Sequence, residues 1–331
     1  MTSESDIKSA KDGKLASKTA PLTDRFGRTV DYLRISLTQR CDYSCFFCHH
    51  EGENHTDSEM TPREIERLVS AASRRGIKKV KLTGGEALLR SDILEIVKGL
   101  APLVDDLSLT TNGARLEGMA SELKAAGLDR VNVSLHSLEP ETYVTMTGSS
   151  DLEAVKNGIL KAVKAGLNPV KINMTILRGL NENEIPAMME FAGSVGAILQ
   201  LIELQYMPEE NTSTWLEFWV DLEPVEARLL NKASEVRRRT LHGRKQYSIP
   251  LPNGQVVVEV VRPTHNSSFC EGCTRLRMTS DGRLKPCLLR YDNLVDVRSY
   301  LGLGESLRLV DEALTKAVRT REPFWQKEEW E

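Results

Sequence analysis

The chain has 331 residues, 40% hydrophobic and 27% charged, with 47 acids against 44 bases and a net charge of −3. That balance excludes a fully disordered chain, a collagen-like repeat and a coiled coil, and it argues against a globally basic nucleic-acid binder. At ~150 residues per domain the length fits one large domain or two ordinary ones. No apolar run approaches the ~20 residues that cross a bilayer. The N-terminal stretch MTSESDIKSAKDGKLASKTA lacks the apolar core of a secretory signal. A cytoplasmic, reducing setting is therefore expected, with no membrane or nucleic-acid partner and with cysteines present as thiolates or metal ligands.

Residues 1 to about 22 are polar and predict a flexible tail. From residue 30 strand-like runs follow at Tyr32–Thr38, Lys79–Thr83, Leu107–Thr111, Val131–Leu135, Val170–Ile176 and Ile198–Leu204. Helical patterns lie between them at Pro62–Arg74, Ser91–Leu100, Arg115–Ala126 and Leu152–Ala165. Strand, helix, strand, repeated, predicts a parallel α/β sheet, an incomplete (βα)6 TIM-like barrel spanning residues 23–206. The rhythm changes after residue 206. Trp215, Phe218 and Trp219 crowd one stretch, and a helix is expected over Glu223–Val236, before the basic run Arg237-Arg238-Arg239. A strand at Val256–Val261 and a last helix at Leu303–Val318 complete an extension, residues 207–331, expected to pack on the barrel.

The strands alternate where a parallel strand is usually apolar on both faces. Arg34, Ser36 and Thr38 interleave with Leu33, Ile35 and Leu37. Lys79 and Lys81 interleave with Val80 and Leu82, Asn132 and Ser134 with Val131, Val133 and Leu135, and Lys171 and Asn173 with Ile172 and Met174. Successive side chains point to opposite faces, so one face is apolar and meets the helices, while the other carries cations and amides. Unpaired buried cations cost several kcal/mol each, to an order of magnitude, so a polar interior points to a polar, anionic ligand.

All six cysteines fall into two triplets, Cys41, Cys45, Cys48 and Cys270, Cys273, Cys287. Three thiolates leave a metal or cluster one position open, which is what chemistry requires. His49 and His50 follow Cys48, so a Cys3His zinc site is the rival for the first set; the second has no equally obvious fourth ligand, although His265 is near in sequence. Placement favours catalysis. Cys41 comes just after the first strand, Gly84-Gly85-Glu86 after the second, Thr111-Asn112-Gly113 closes the third, and Ser134 ends the fourth. Ligands of α/β barrels sit at such carboxyl ends.

Cys41-Asp-Tyr-Ser-Cys45-Phe-Phe-Cys48 resembles the CxxxCxxC signature of radical S-adenosylmethionine enzymes, and Gly84-Gly85-Glu86 resembles that superfamily's GGE motif. Four further stretches resemble the family of molybdenum cofactor biosynthesis protein A, the GTP 3′,8-cyclases. They are Phe26-Gly27-Arg28, the run Leu33 to Thr38, the second triplet with Arg275 and Arg277, and Asp281-Gly282 before Pro286-Cys287. The resemblance runs from about residue 24 to 295. It implies a [4Fe–4S] cluster at each triplet, with S-adenosylmethionine on the open iron of the first. Glu86 would then hold its amino group, Gly84 and Gly85 would permit close approach, and Thr110, Asn112 and Ser134 would lie near its sulfonium and ribose. Reductive cleavage would start a hydrogen abstraction from C3′ of GTP, followed by attack on C8 of the guanine. Arg34, Lys79, Lys81 and Lys171 would bind the substrate, largely its triphosphate, and Arg275 and Arg277 would bind it and assist the radical steps. An electron donor and the next enzyme of molybdopterin synthesis would be partners, and a homodimer is compatible.

Some positions depart from that pattern. Gln200 stands where the family usually has a substrate-binding Arg, Ala87 follows the GGE in place of Pro, Phe47 replaces a common Tyr, and the last residues are Glu328-Glu329-Trp330-Glu331 in place of Gly-Gly. A different two-cluster radical enzyme, such as a peptide-modifying one, and a zinc-stabilised binding protein are the competing readings. Six bases against three acids over residues 262–292 agree with an anionic substrate.

Overall fold

A strand–helix alternation with inward cations and outward aliphatics has to close around something polar, and the computed structural model has that arrangement. It describes residues 20–53, 56–208, 211–238, 244–264, 266–302 and 307–325. The first six strands are β1 (Tyr32–Ser36), β2 (Lys79–Thr83), β3 (Asp106–Thr111), β4 (Arg130–Ser134), β5 (Val170–Ile176) and β6 (Ile198–Glu203). Between them run α1 (Pro62–Arg74), α2 (Ile93–Leu100), α3 (Leu116–Ala125), α4 (Pro140–Thr147), α5 (Leu152–Lys164) and α6 (Ile185–Ser194). The later elements are α7 (Thr212–Phe218), α8 (Glu223–Lys232), β7 (Glu235–Arg238), β8 (Lys245–Leu251), β9 (Gly254–Val261), α9 (Ser267–Glu271), β10 (Arg275–Met278), β11 (Arg283–Lys285), β12 (Val295–Asp296) and α10 (Leu307–Arg319).

Among the described residues these strands form one sheet in the order β12-β11-β10-β1-β2-β3-β4-β5-β6-β9-β8-β7. Strands β10 through β9 in that order are mutually parallel, and the outer pairs are antiparallel. The two ends of the order do not pair, so the barrel is open. The six-stranded core is as expected. The later segment adds one parallel strand to each of its edges, β10 beside β1 and β9 beside β6. It therefore continues the sheet as well as covering it.

The apolar face lies under the helices. Leu33, Ile35, Val80, Leu82, Leu107, Leu109, Val131, Val133, Ile172 and Met174 are completely enclosed. Helix α1 supplies part of that cover. Its N-terminus is a capping box, in which Thr61 Oγ1 accepts from the Glu64 amide at 3.3 Å and Glu64 Oε2 accepts from the Thr61 amide at 2.7 Å. Pro62 sits where its missing N–H costs nothing. Ile65, Leu68, Val69 and Ala72, at i, i+3, i+4 and i+7, form the buried stripe. Burying each of the larger three contributes about 1.5–3 kcal/mol.

Several boundaries differ from the sequence reading. Strand β1 stops at Ser36 rather than Thr38, because the Thr38 carbonyl accepts from Gly85 N at 2.7 Å and its hydroxyl accepts from Arg40 N at 3.0 Å. The helix expected over Glu223–Val236 ends at Lys232. Ala233 turns extended, Ser234 N donates to Ser248 O at 2.9 Å, and Glu235–Arg238 becomes an edge strand paired with β8. Arg237 and Arg238 point to solvent on that edge, where charge opposes further strand pairing. Arg239 lies outside the described residues, as do residues 1–19 of the expected tail and 303–306 at the start of the expected last helix. Leu22, placed at the end of that tail, is buried in the core. No described helix is long and apolar enough to cross a membrane.

Candidate active site

The polar positions of neighbouring strands fall into register. Arg277 pairs with Arg34, Arg34 with Lys81, Asn132 with Lys171, Asn173 with Gln200, and Gln200 with Glu259. All of these but Glu259, which is buried behind Lys171 and Gln200, line one cavity of about 410 Å³. Its lining includes all six cysteines, nine basic side chains and three acidic ones, the acids being Glu51, Glu203 and Glu322.

Arg34, Lys81, Lys171, Arg275, Arg277, Gly84, Gly85, Thr110, Asn112 and Ser134 all line it, as the sequence reading expects. Lys79 does not. It lies at the amino end of β2, partly exposed, with its ammonium 2.7 Å from Asp31 Oδ2. Tyr32 and Arg275, in the same register row, do reach the cavity, but the Lys79 ammonium is turned to Asp31, so Lys79 is not among the cavity-lining residues. Glu86 is also absent from the wall. Its buried carboxylate accepts from Thr111 Oγ1 at 2.8 Å, Asn112 N at 2.6 Å and Leu88 N at 2.8 Å. Burial pushes it up to about 7, against those three donors. Glu86 thus fixes the β3 turn that presents Asn112. Gly84 and Gly85 are required by this chain's own backbone: a Cβ at either would fall within 2.5 Å of Thr38 O or 2.3 Å of Arg40 O. The close approach they allow is to the loop that leads into the first triplet.

That loop is open. Cys41 and Cys48 are exposed and Cys45 is half-buried. Their sulfurs accept from Tyr43 N (Cys41) and His50 N (Cys48), each at 3.4 Å. Desolvation, then Glu86 and Asp42, push Cys41 up to about 11, and desolvation pushes Cys45 up to about 12. The second triplet is half-buried throughout. There burial alone would raise Cys273, but the Arg321, Arg275 and Arg28 guanidiniums outweigh it and the net displacement is downward.

Between the triplets lies a residue that the sequence reading missed. Glu51 accepts from Arg34, in a close ion pair, and from Arg277 Nη1 at 3.0 Å, so it separates two guanidiniums on adjacent strands. Burial raises its carboxyl, but Arg34, His49 and Arg277 prevail and hold it at about 2. His50, Glu51 and Gly52 are consecutive left-handed residues, with φ of 44°, 55° and 62°. At Gly52 a Cβ would meet Leu288 O at 2.7 Å, next to Cys287. For the two non-glycine residues that conformation costs about 1–3 kcal/mol each, and it persists because both halves grip the loop. Lys285 Nζ donates closely to Gly52 O, and Glu53 Oε2 accepts from Ser280 N at 3.0 Å.

Lys171 Nζ lies 2.6 Å from Glu259 Oε1, and Glu259 also accepts from Gln246 at 2.6 Å and, closely, from Gln200. Gln200 therefore serves to orient a buried acid. Lys81 donates to Asn132 Oδ1 at 2.6 Å. Desolvation, then Arg130 and Arg34, hold Lys81 well below its ordinary value, which an anionic ligand would reverse. His136 is buried against Phe47 and accepts from Thr175 N through Nδ1 at 3.1 Å, so the neutral ring presents Nε2–H to the cavity. Glu259 carried one signal, a lone acid in the run Val256 to Val261. Arg321, completely buried beside the second triplet, carried none.

The donor sets fit iron–sulfur clusters. Each is three free thiols on the cavity wall. Among the described residues no three His, Cys, Asp or Glu side chains converge on a single ion. A cluster sits between its cysteines, each on a different iron, whereas a mononuclear zinc site needs convergence. His49 uses Nδ1 to accept from Glu51 N at 3.1 Å, which leaves it poorly placed as a zinc ligand beside Cys48. His265 lies outside the described residues.

Comparison with known proteins agrees with this donor set. The family model of the radical SAM superfamily matches residues 35–192, and that of Molybdenum Cofactor Synthesis C matches residues 197–327. A protein of Thermococcus kodakarensis named "Probable GTP 3′,8-cyclase" is 55% identical over 308 residues, 92% of this chain and 100% of its own length. One of Pyrococcus horikoshii with the same name is 52% identical, over 92% of this chain and 98% of its own. Among solved structures, Streptococcus suis SuiB bound to precursor peptide SuiA has a TM-score of 0.62 at 16% identity, over 89% of this chain and 68% of its own, a likeness of fold. The chain belongs to the GTP 3′,8-cyclase family of the radical SAM superfamily.

Proposed function

We propose that this chain converts GTP to 3′,8-cyclo-7,8-dihydro-GTP in the first step of molybdopterin synthesis. The observation that carries this reading is that both cysteine triplets and nine cations line one cavity. Cys41, Cys45 and Cys48 would hold one [4Fe–4S] cluster with S-adenosylmethionine, and Cys270, Cys273 and Cys287 the other. The bound first cluster and S-adenosylmethionine would supply one electron and a route to hydrogen-atom removal from the ribose.

The rest is the work of this chain's own groups. Arg34, Lys81, Lys171, Arg275 and Arg277 bind the nucleotide, with guanidiniums suited to phosphate oxygens by charge and by multiple donors. Glu51 and Glu259 hold Arg34, Arg277 and Lys171 in place before the triphosphate arrives, so little reorganisation remains on binding. Thr110, Asn112, Ser134 and the Nε2–H of His136 face the S-adenosylmethionine end. Phe47, Leu204, Phe269 and Trp325 line the same cavity and exclude water from reactive species. Arg275 and Arg277, beside the second triplet, assist at the base. A low-potential electron donor, a cytoplasmic setting and a following enzyme that consumes the product belong to this reading, and a homodimer is compatible with it.

Forming the C3′–C8 bond removes one hydrogen atom, and one electron and one proton then complete the product, so the mass of GTP is unchanged. Anaerobic protein reconstituted with iron and sulfide, then given GTP, S-adenosylmethionine and dithionite, is expected to yield an isomer of GTP with altered chromatographic retention and equimolar 5′-deoxyadenosine. Iron should approach roughly eight atoms per chain, four for each cluster. Unchanged GTP in protein that carries both clusters would overturn the reading.

A further inference from the structure

Two segments from opposite ends of the chain grip the second triplet, and neither contains a cysteine. Asp24 Oδ2 accepts from Arg28 Nε at 2.8 Å and from Arg321 Nη1 at 3.1 Å. Arg28 Nη1 donates to the Cys270 carbonyl at 2.9 Å, and Arg321 Nη2 donates to the Cys273 carbonyl at 2.6 Å. Past Arg321, the backbone amides of Phe324 and Trp325 donate to the Cys270 sulfur. The three charged side chains are buried, at 6%, 9% and 1% exposure for Asp24, Arg28 and Arg321. Two guanidiniums and one carboxylate leave a net charge of +1 against this triplet.

A buried charge triad of this kind is weak evidence for stability, since desolvation of the ions offsets most of their attraction. Its placement against two cysteine carbonyls points elsewhere. The potential of an iron–sulfur centre follows local net charge, hydrogen bonds to sulfur and exposure, and positive charge favours the reduced, more negative state. The first triplet has Glu86 and Asp42 as neighbours, Asp42 being itself paired with Arg115 at 3.4 Å; its two exposed cysteines admit water, which acts in the other direction, so the charge against the second triplet is what separates the two centres. We infer that Asp24, Arg28 and Arg321 form a clamp that positions the second triplet and sets its centre at a higher reduction potential than the first. The inference rests on the two-cluster reading above.

The test uses the full chain with Cys41, Cys45 and Cys48 replaced by serine, so that only the second centre loads, and a parallel chain with Cys270, Cys273 and Cys287 replaced. Each is reconstituted anaerobically, its iron is counted, and the centre is titrated potentiometrically by electron paramagnetic resonance. The unsubstituted second centre is expected to titrate above the first. Arg321→Gln is expected to shift the reduced-to-oxidised ratio of the second centre about tenfold toward oxidised, about 59 mV more negative for one electron. Asp24→Asn is expected to shift it in the opposite direction, and neither substitution to move the first centre. Opposite signs separate a charge effect from mere loosening. Equal movement of both centres, shifts of the same sign, or retained iron with no shift would overturn the clamp. If Arg321→Gln loads no iron, Asp24→Asn alone decides, an upward shift supporting the clamp and an unchanged potential refuting it. An unsubstituted second triplet that takes up no iron would overturn the two-cluster reading itself, and the clamp with it.

Discussion

The two cysteine triplets have the same number of thiols and face the same cavity, yet their surroundings are opposed. The first sits on an exposed loop, where desolvation of the sulfur and then the acidic neighbours Glu86 and Asp42 push Cys41 up to about 11. The second lies beneath buried arginines, which draw Cys273 down against its burial, while burial raises Cys270 and Cys287. A thiolate next to carboxylates needs a metal to hold it deprotonated, whereas one next to guanidiniums is stabilised by the protein. Two similar centres placed in one chamber are therefore made different by the second coordination environment, and that difference suits a division of labour between S-adenosylmethionine and GTP.

The sharpest way to break the comparison is to remove one triplet at a time. Cys45→Ala is expected to abolish both S-adenosylmethionine cleavage and cyclisation. Cys273→Ala is expected to abolish cyclisation, by at least about a thousandfold or 4 kcal/mol in the barrier, while uncoupled cleavage continues. Quantifying 5′-deoxyadenosine and cyclised product in the same reaction checks both. Loss of cleavage in Cys273→Ala would mean that the two centres do not work independently.

Glu51 tests the seam between them. Its carboxylate keeps Arg34 and Arg277 apart on neighbouring strands. Glu51→Gln leaves two half-buried like charges without their shared counter-ion, and a loss of about 2 kcal/mol in unfolding free energy is expected, less than for a fully buried pair. GTP should restore part of that loss, because phosphate oxygens replace the missing anion, and denaturant unfolding with and without GTP reads both effects. The sign with pH follows from a carboxyl held at about 2 against an ordinary 4.5. Its contribution is complete above about 4.5 and disappears as the pH falls through 2.

The fold was more legible than the site. Six strands, their order and the apolar face under the helices followed from alternation, because burial acts on every second residue and leaves a periodic trace. The cysteines were legible by spacing. What stayed hidden were partners joined across long sequence distances. Glu51, Glu259 and Arg321 each act on a group more than fifteen residues away. No local period records such a pairing; Glu259 alone carried a signal, as an acid inside an apolar strand, and was passed over in the sequence. Lys79 failed for a related reason. Its type and alternation matched Lys81, but its ammonium pairs with Asp31, 48 residues away, and no local pattern records that partner.

At the substrate, Lys171→Ala is expected to weaken GTP about 10- to 30-fold and guanosine less than about threefold, since the lost ammonium serves phosphate and not base. Because Lys171 is paired with Glu259, the variant also leaves that acid with Arg244, at 3.6 Å, as its cationic partner and reduces the positive charge met by the triphosphate, so Lys171→Ala with Glu259→Gln should bind GTP more tightly than Lys171→Ala alone. Calorimetry with both ligands reads this, and equal weakening of GTP and guanosine would remove Lys171 from the phosphate site.

The smallest expected effect probes the joint between the loop of the first triplet and the second half of the chain. Glu53 accepts from Gln39 Nε2 at 2.6 Å and from Ser280 N at 3.0 Å, and burial pushes its carboxyl up to about 7. A folded-state value above the ordinary 4.5 means that the native protein binds more protons than the unfolded chain between those two values. Stability contributed by this group therefore declines as the pH rises from about 4.5 to 7 and is level above that. Glu53→Gln keeps a carbonyl acceptor for the Ser280 amide but cannot ionise. Relative to the unsubstituted protein, the variant should gain about 1 kcal/mol between pH 5 and pH 7.5, the full displacement being reduced by residual solvent access and by the surrounding donors, which favour the carboxylate. Unfolding curves at the two pH values measure the difference. A difference that does not change with pH would show that Glu53 is already ionised in the folded chain, and that the joint between the two cysteine sites is held by charge rather than by a shared proton.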